Sequence, residues 1–243
     1  LIRPVIEGDT IGRYEPAAFT SYAVIIPRGW TVHHPAAASR PWRWFRNRHP
    51  GLARIIAVQA AGKPRPPGEG ALWWETACDD DAVQEKIPRI LFREWFESPG
   101  FVYDDGKAIP GQGTVAIPVS GPYLAGLLNS RLLAFVFAKT AAMPGSNRAG
   151  YSWDNLRALP VYTPDFDDPA DTGRHDRIVS LVTRMTALKK ELSHTRPDQE
   201  RGLLQKKIET TDRKIDSLVY ALYHLTPDEI AFVESSMIGK VPS

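Results

Sequence analysis

Two long helical stripes occupy the last third of the chain and limit what it can fold into. Ile178, Leu181, Val182, Met185, Leu188 and Leu192 fall on one face of a helix. After Arg196-Pro197, the residues Leu204, Ile208, Thr211, Ile215, Leu218 and Leu222 recur at alternating steps of four and three. That seam suits an antiparallel helical hairpin or a coiled-coil partner. Thr226-Pro227-Asp228-Glu229 joins an N-cap, a proline at the first helical position and a capping-box glutamate, so a short last helix with Ile230 and Val233 follows.

The first two-thirds follows a different pattern: short apolar runs punctuated by proline and glycine. Ala23–Ile26, Leu52–Val58, Ala71–Glu75, Arg89–Phe92, Phe101–Tyr103 and Thr114–Ile117 read as strands by length and punctuation. Asp104-Asp105-Gly106 reads as a hairpin turn. Ser120 is the expected N-cap of one helix carrying Leu124, Leu127, Leu128, Leu132, Phe135 and Val136, closed by the loop 143–150. The acidic stretch Asp165 to Gly173 suits a linker. The expected class is α+β: a mixed or antiparallel-sheet domain over residues 1–164, then a helical hairpin or small bundle over 174–243.

Charge is informative only when divided. The 243 residues hold 30 Lys+Arg and 28 Asp+Glu, a total of +2 that argues against a strongly basic nucleic-acid binder. Yet residues 1–65 carry ten bases and three acids, while residues 66–119 carry four bases and ten acids. Such a split within one chain points to a polyanion-facing surface. A single cysteine, Cys78, excludes an intramolecular disulfide and a cysteine-based zinc site. No apolar run nears the roughly 20 residues that span a bilayer and no signal-peptide pattern opens the chain, so the expectation is a cytoplasmic protein. The opening Leu1-Ile2-Arg3-Pro4 lacks an initiator methionine and reads as the start of a piece of something longer.

The densest basic run is Ser39-Arg40-Pro41-Trp42-Arg43-Trp44-Phe45-Arg46-Asn47-Arg48-His49. Arginines supply bidentate hydrogen bonds to phosphates or guanine edges, and Trp42 and Trp44 supply flat surfaces on which bases stack. The alternative is that Trp42 and Phe45 are core residues and the arginines a solvated face. Catalytic patterns are absent: there is no nucleophile elbow, P-loop or dinucleotide fingerprint, and His33-His34 would point oppositely on a strand. One hydrolytic option is Asp105-Gly106-Lys107, whose acid-x-lysine spacing matches Mg²⁺-dependent nucleases, with Asp79, Asp80 or Asp81 as a further ligand.

Several stretches, in order, resemble the TaqI-like C-terminal specificity domain, the target recognition domain of adenine-specific DNA methyltransferases and bifunctional restriction–modification enzymes. They are Ile2 to Tyr14, Trp73-Trp74-Glu75, Lys86 to Ile90 with Phe101 to Asp104, and Tyr123-Leu124-Ala125-Gly126-Leu127-Leu128-Asn129-Ser130. Tyr151 through Val161 and Ile215 through Thr226 complete the series. The Asn-Pro-Pro-aromatic tetrapeptide and the glycine-rich S-adenosylmethionine loop of such methyltransferases do not occur. The resemblance therefore implies a sequence-specific duplex-DNA recognition module without methyl-transfer residues of its own. It implies a methyltransferase domain in the same polypeptide or a partner subunit, and S-adenosylmethionine as cofactor of that parent, with none in this stretch.

On that reading Arg40, Arg43, Arg46, Arg48, Lys63 and Arg65 face DNA with Trp42 and Trp44, and Arg148 is a further contact in the helix-exit loop. Asn129, Ser130, Trp74 and Glu75 serve packing or capping. The competing readings are the nuclease using Asp105 and Lys107, and a non-catalytic helical module binding another protein through the 204–222 seam.

Overall fold

The computed structural model describes residues 2–15, 19, 21–31, 33–37, 39–60, 72–75, 87–96, 100–140, 149–150 and 153–237. The chain divides into two compact units. Leu1–Val5 with Ser21–Lys86 forms the first, and Ile6–Thr20 with Ile87–Ser243 the second. The long C-terminal helices thus share a unit with the central sheet. The class is α+β.

In the first unit, the part of β1 (Ile2–Ile6) up to Val5 pairs antiparallel with β2 (Ser21–Val24), Ile2 opposite Val24 and Val5 opposite Ser21. Two helices follow, α1 (Pro41–Arg48) and α2 (Pro50–Ala60), each opened by proline at its first turn. The run Leu52–Val58, expected as a strand, lies inside α2. Ala53 is buried and Leu52 and Ile56 half-buried, while Arg54, Ile55 and Val58 are exposed, which is helical rather than alternating burial. Residues 72–75, also expected as a strand, form a turn in which Glu75 N–H donates to the Leu72 carbonyl at 2.8 Å. The core of this unit is Ile26, Phe45, Ala53 and Trp74.

The second unit is built on a sheet in which β3 (Arg89–Arg93) lies between β5 (Phe101–Asp104) and β7 (Thr114–Pro118), antiparallel to both. Alternate residues serve two cores. Ile90, Phe92 and Phe101 join the helical core, and Leu91 and Val102 pack with Ile6, Ile11 and Ala108. That explains why β3 is apolar at every interior position. A smaller antiparallel pair joins β4 (Trp95–Phe96) to β8 (Ala149–Gly150). The Asp104-Asp105-Gly106 turn is present, with Gly106 at φ +83°, but it joins no hairpin: β5 pairs with β3, and β6 (Ile109–Pro110) belongs to another sheet.

The single helix expected after Ser120 is two: α3 (Tyr123–Leu128), entered through Pro122 rather than capped by Ser120, and α4 (Arg131–Thr140). Ser130 makes the break. Its Oγ donates to the Leu127 carbonyl at 2.6 Å and accepts from Leu133 N–H at 3.2 Å, closing one helix and opening the next. After the short α5 (Trp153–Arg157), the acidic stretch expected as a linker starts α6 (Pro169–His194) instead, with Asp168 accepting from Ala170 N–H and Pro169 in the first turn. Gly126 lets α3 lie against α6, since a Cβ there would sit 2.7 Å from Ile178 Cγ2 and 2.9 Å from Val182 Cγ2.

Across the three-residue connection 195–197, α7 (Asp198–Leu222) packs back on α6, and Leu204, Ile208, Ile215, Val219 and Leu222 are buried. The hairpin expected from the heptad-like seam is the observed arrangement. Helix α8 (Pro227–Ser236) carries the Thr226–Glu229 capping box. Among the described residues, no helix is long and apolar enough to cross a membrane.

Candidate nucleic-acid interface

Among the described residues of the first unit, the strongest concentration of unpaired charge is α1. At 100° per residue, the helix points Phe45 into the core and leaves Arg43 and Asn47 on the opposite side, flanked by Arg40 and Arg46. Arg40, Arg43, Arg46 and Arg48 are all exposed, and none of them enters an ion pair among the described residues. Those of this unit carry seven arginines and one acidic side chain, Glu75.

That carboxylate is not available to neutralise them. Glu75 is buried, and its Oε1 accepts from Thr31 N–H at 3.0 Å, its Oε2 from Gly29 N–H at 2.9 Å and Leu72 N–H at 3.2 Å. Burial alone would raise its pKa. The three backbone donors outweigh that and hold it below the usual carboxylate value. Beside it, Trp74 donates from Nε1 to Thr31 Oγ1 at 3.2 Å. Trp74 and Glu75 therefore serve the fold, tying two turns together under the helix.

The tryptophans of the basic run pack into the same aromatic cluster. Trp42 stacks on Phe45, with ring centroids 5.8 Å apart and planes at 15°, and lies 4.9 Å from both Trp73 and Trp74. Trp44 lies 4.7 Å from the His34 ring and 6.0 Å from Trp30. Both are half-buried, so the rings fix the rotation of α1 while the arginines between them point to solvent. Sequence reasoning combined these roles in one run; the helix separates them. Arg54, exposed on α2, was not among the expected contacts; it shares its exposed side with Ile55 and Val58, two apolar residues that helical periodicity alone would turn inward. Lys63, Arg65 and Arg148 lie outside the described residues.

The nuclease option finds no support in the second unit. Asp105 and Lys107 form an exposed ion pair across the turn, and Asp104 is engaged by the Arg89 guanidinium at 3.4 Å and by Gly106 N–H at 3.2 Å. Among the described residues, no three His, Cys, Asp or Glu side chains are grouped to hold a metal. Asp79, Asp80 and Asp81 lie outside them. Asn129 is likewise structural: its Oδ1 accepts from Phe101 N–H at 3.0 Å and its Nδ2 donates to the Phe101 carbonyl at 2.7 Å.

Among solved structures, the chain is similar in fold to part of MmeI. That protein is a Type IIL restriction–modification enzyme whose structure was determined in complex with DNA. The likeness covers 96% of this chain and 30% of MmeI, at 16% sequence identity and a TM-score of 0.52, and it concerns the fold alone. The chain therefore spans less than a third of the length of the enzyme it matches. No protein-family model and no curated protein matches the chain.

Proposed function

We propose that the chain is the sequence-specific duplex-DNA recognition module of a restriction–modification enzyme. The observation that carries this reading is the exposed arginine face of α1, rigidly backed by aromatic rings and without an available carboxylate in the described part of its unit. Such a face meets phosphates by charge and guanine edges by bidentate hydrogen bonds. The fold likeness to part of MmeI, solved with DNA, supports the same reading.

The finer reading is a target recognition domain of the TaqI-like kind, serving an adenine-specific methyltransferase. In it the methyltransferase domain, in the same polypeptide or in a partner subunit, binds S-adenosylmethionine and extrudes the adenine, while this module reads neighbouring bases. Lys63, Arg65 and Arg148 belong to the same proposal as additional DNA-facing side chains. Fluorescence anisotropy with a labelled duplex over a salt series tests the function. The expected result is binding that weakens with a log–log slope of several units, as counterions are released from neutralised phosphates. No affinity for any duplex at low salt overturns it.

A further inference from the structure

Helix α7 buries two of its acids and shows most of its bases. Its sequence is close to neutral from Glu200 to Ser217, with Arg201, Lys206, Lys207, Arg213 and Lys214 against Glu200, Glu209, Asp212 and Asp216. Two of those carboxylates are turned inward and buried: Asp212 pairs with Arg13 at 2.7 Å, and Asp216 accepts from Arg131 N–H at 2.9 Å. On the opposite side, Leu203, Lys206, Lys207, Thr210, Arg213, Lys214 and Ser217 fall within one stripe at 100° per residue, all exposed, with Glu200 the one acid on that side, a turn before Leu203. Lys206, Lys207 and Lys214 form no ion pair among the described residues, and Arg213 meets Glu209 only at 4.0 Å.

We propose that this outer face of α7 is a second phosphate-binding surface, on which Lys206, Lys207, Arg213 and Lys214 hold the backbone of duplex DNA. The proposal rests on the DNA reading above. Lysine is depleted from protein–protein interfaces, and a strip of lysines whose stems carry no aromatic or aliphatic cluster is a poor docking face for a protein. A lipid surface is disfavoured too. An interfacial helix needs an apolar face to bury in the bilayer, and here that face is already packed into the core. Charges spread over nine residues, about 12 Å of helix from Lys206 to Lys214, suit a run of phosphates instead. The hydroxyls of Thr210 and Ser217 are turned to the Lys206 and Arg213 carbonyls, so apart from Arg213 the stripe offers point charge rather than base-reading geometry. It should strengthen binding without selecting sequence.

The test compares the full chain with its K206Q/K207Q/K214Q variant on a fluorescein-labelled 40-base-pair duplex of mixed sequence across a salt series. All three side chains are exposed, so the variant should melt with the parent. The expected result is a salt slope smaller by about 2–3, roughly 0.9 for each phosphate that is no longer neutralised. An unchanged slope with duplex binding retained overturns this inference and leaves the recognition function standing. Absence of duplex binding by the parent chain overturns the function itself. An unchanged slope together with abolished sedimentation on phosphatidylserine vesicles overturns the inference in favour of a lipid surface.

Discussion

At the scale of single residues, two buried carboxylates are solvated in opposite ways. Glu75 is held ionised by three backbone N–H groups. Its stabilising contribution is present above the unfolded-state pKa and is lost as pH falls through the lowered folded value. Glu75→Gln replaces one acceptor with a donor aimed at an N–H, so we expect a loss of about 1–3 kcal/mol at pH 7. The gap from the parent should narrow below about pH 4, near the ordinary glutamate value, in thermal unfolding followed by circular dichroism.

Asp216 is the reverse. Burial, with Asp212 nearby, raises its carboxyl from the usual 3.8 to about 6. Its Oδ2 has no hydrogen-bond partner among the described residues and meets the Arg131 guanidinium only at 3.6 Å. Its contribution is present below pH 3.8 and is lost as pH rises through about 6. Asp216→Asn keeps an acceptor for Arg131 N–H and removes the buried charge. The variant should be more stable than the parent at pH 8, by up to about 2–3 kcal/mol, and equal to it near pH 4. A parent more stable than the variant at pH 8 would contradict the assignment. None of this could be read from the sequence, because the Asp212–Arg13 pair joins residues 199 positions apart and no local pattern encodes it.

At the scale of elements, periodicity was legible where it was long and ambiguous where it was short. The stripes of α6 and α7 and the box that opens α8 extend over enough turns to be unmistakable. Leu52–Val58 is seven residues of apolar run, equally compatible with a strand, and tertiary burial of Ala53 decides for the helix. The break at Asn129-Ser130 was invisible because the apolar spacing continues through it. Its cause is polar: Asn129 completes the edge of β5 and Ser130 caps both helices. Gly126 belongs to this scale as well. Gly126→Ala would gain about 1 kcal/mol of helix propensity, but it forces Ile178 and Val182 apart, a typical overpacking cost of about 1–3 kcal/mol. A lowered melting temperature is expected, and a raised one would show that α6 yields freely.

At the scale of the molecule, the total charge of +2 conceals two separations. Along the chain, the first 65 residues are basic and the next segment acidic. Within elements, α1 carries arginines and no acids, its unit's one described carboxylate is engaged by backbone, and α7 turns two of its acids inward. The segment totals were readable from the sequence, and so was the run that became α1. That Trp42 and Trp44 would back the helix rather than stand apart from the core was not, since a tryptophan between arginines fits either role.

Whether the arginine face of α1 reads sequence is best decided by selection from a random duplex library, using the full chain and its R40Q/R43Q/R46Q/R48Q variant. We expect the parent to enrich one defined motif within a few rounds. The variant, folded to the same melting temperature within a degree or two, should enrich none. Recovery of the same motif by the variant, or of no motif by the parent, would contradict the proposed role of this helix.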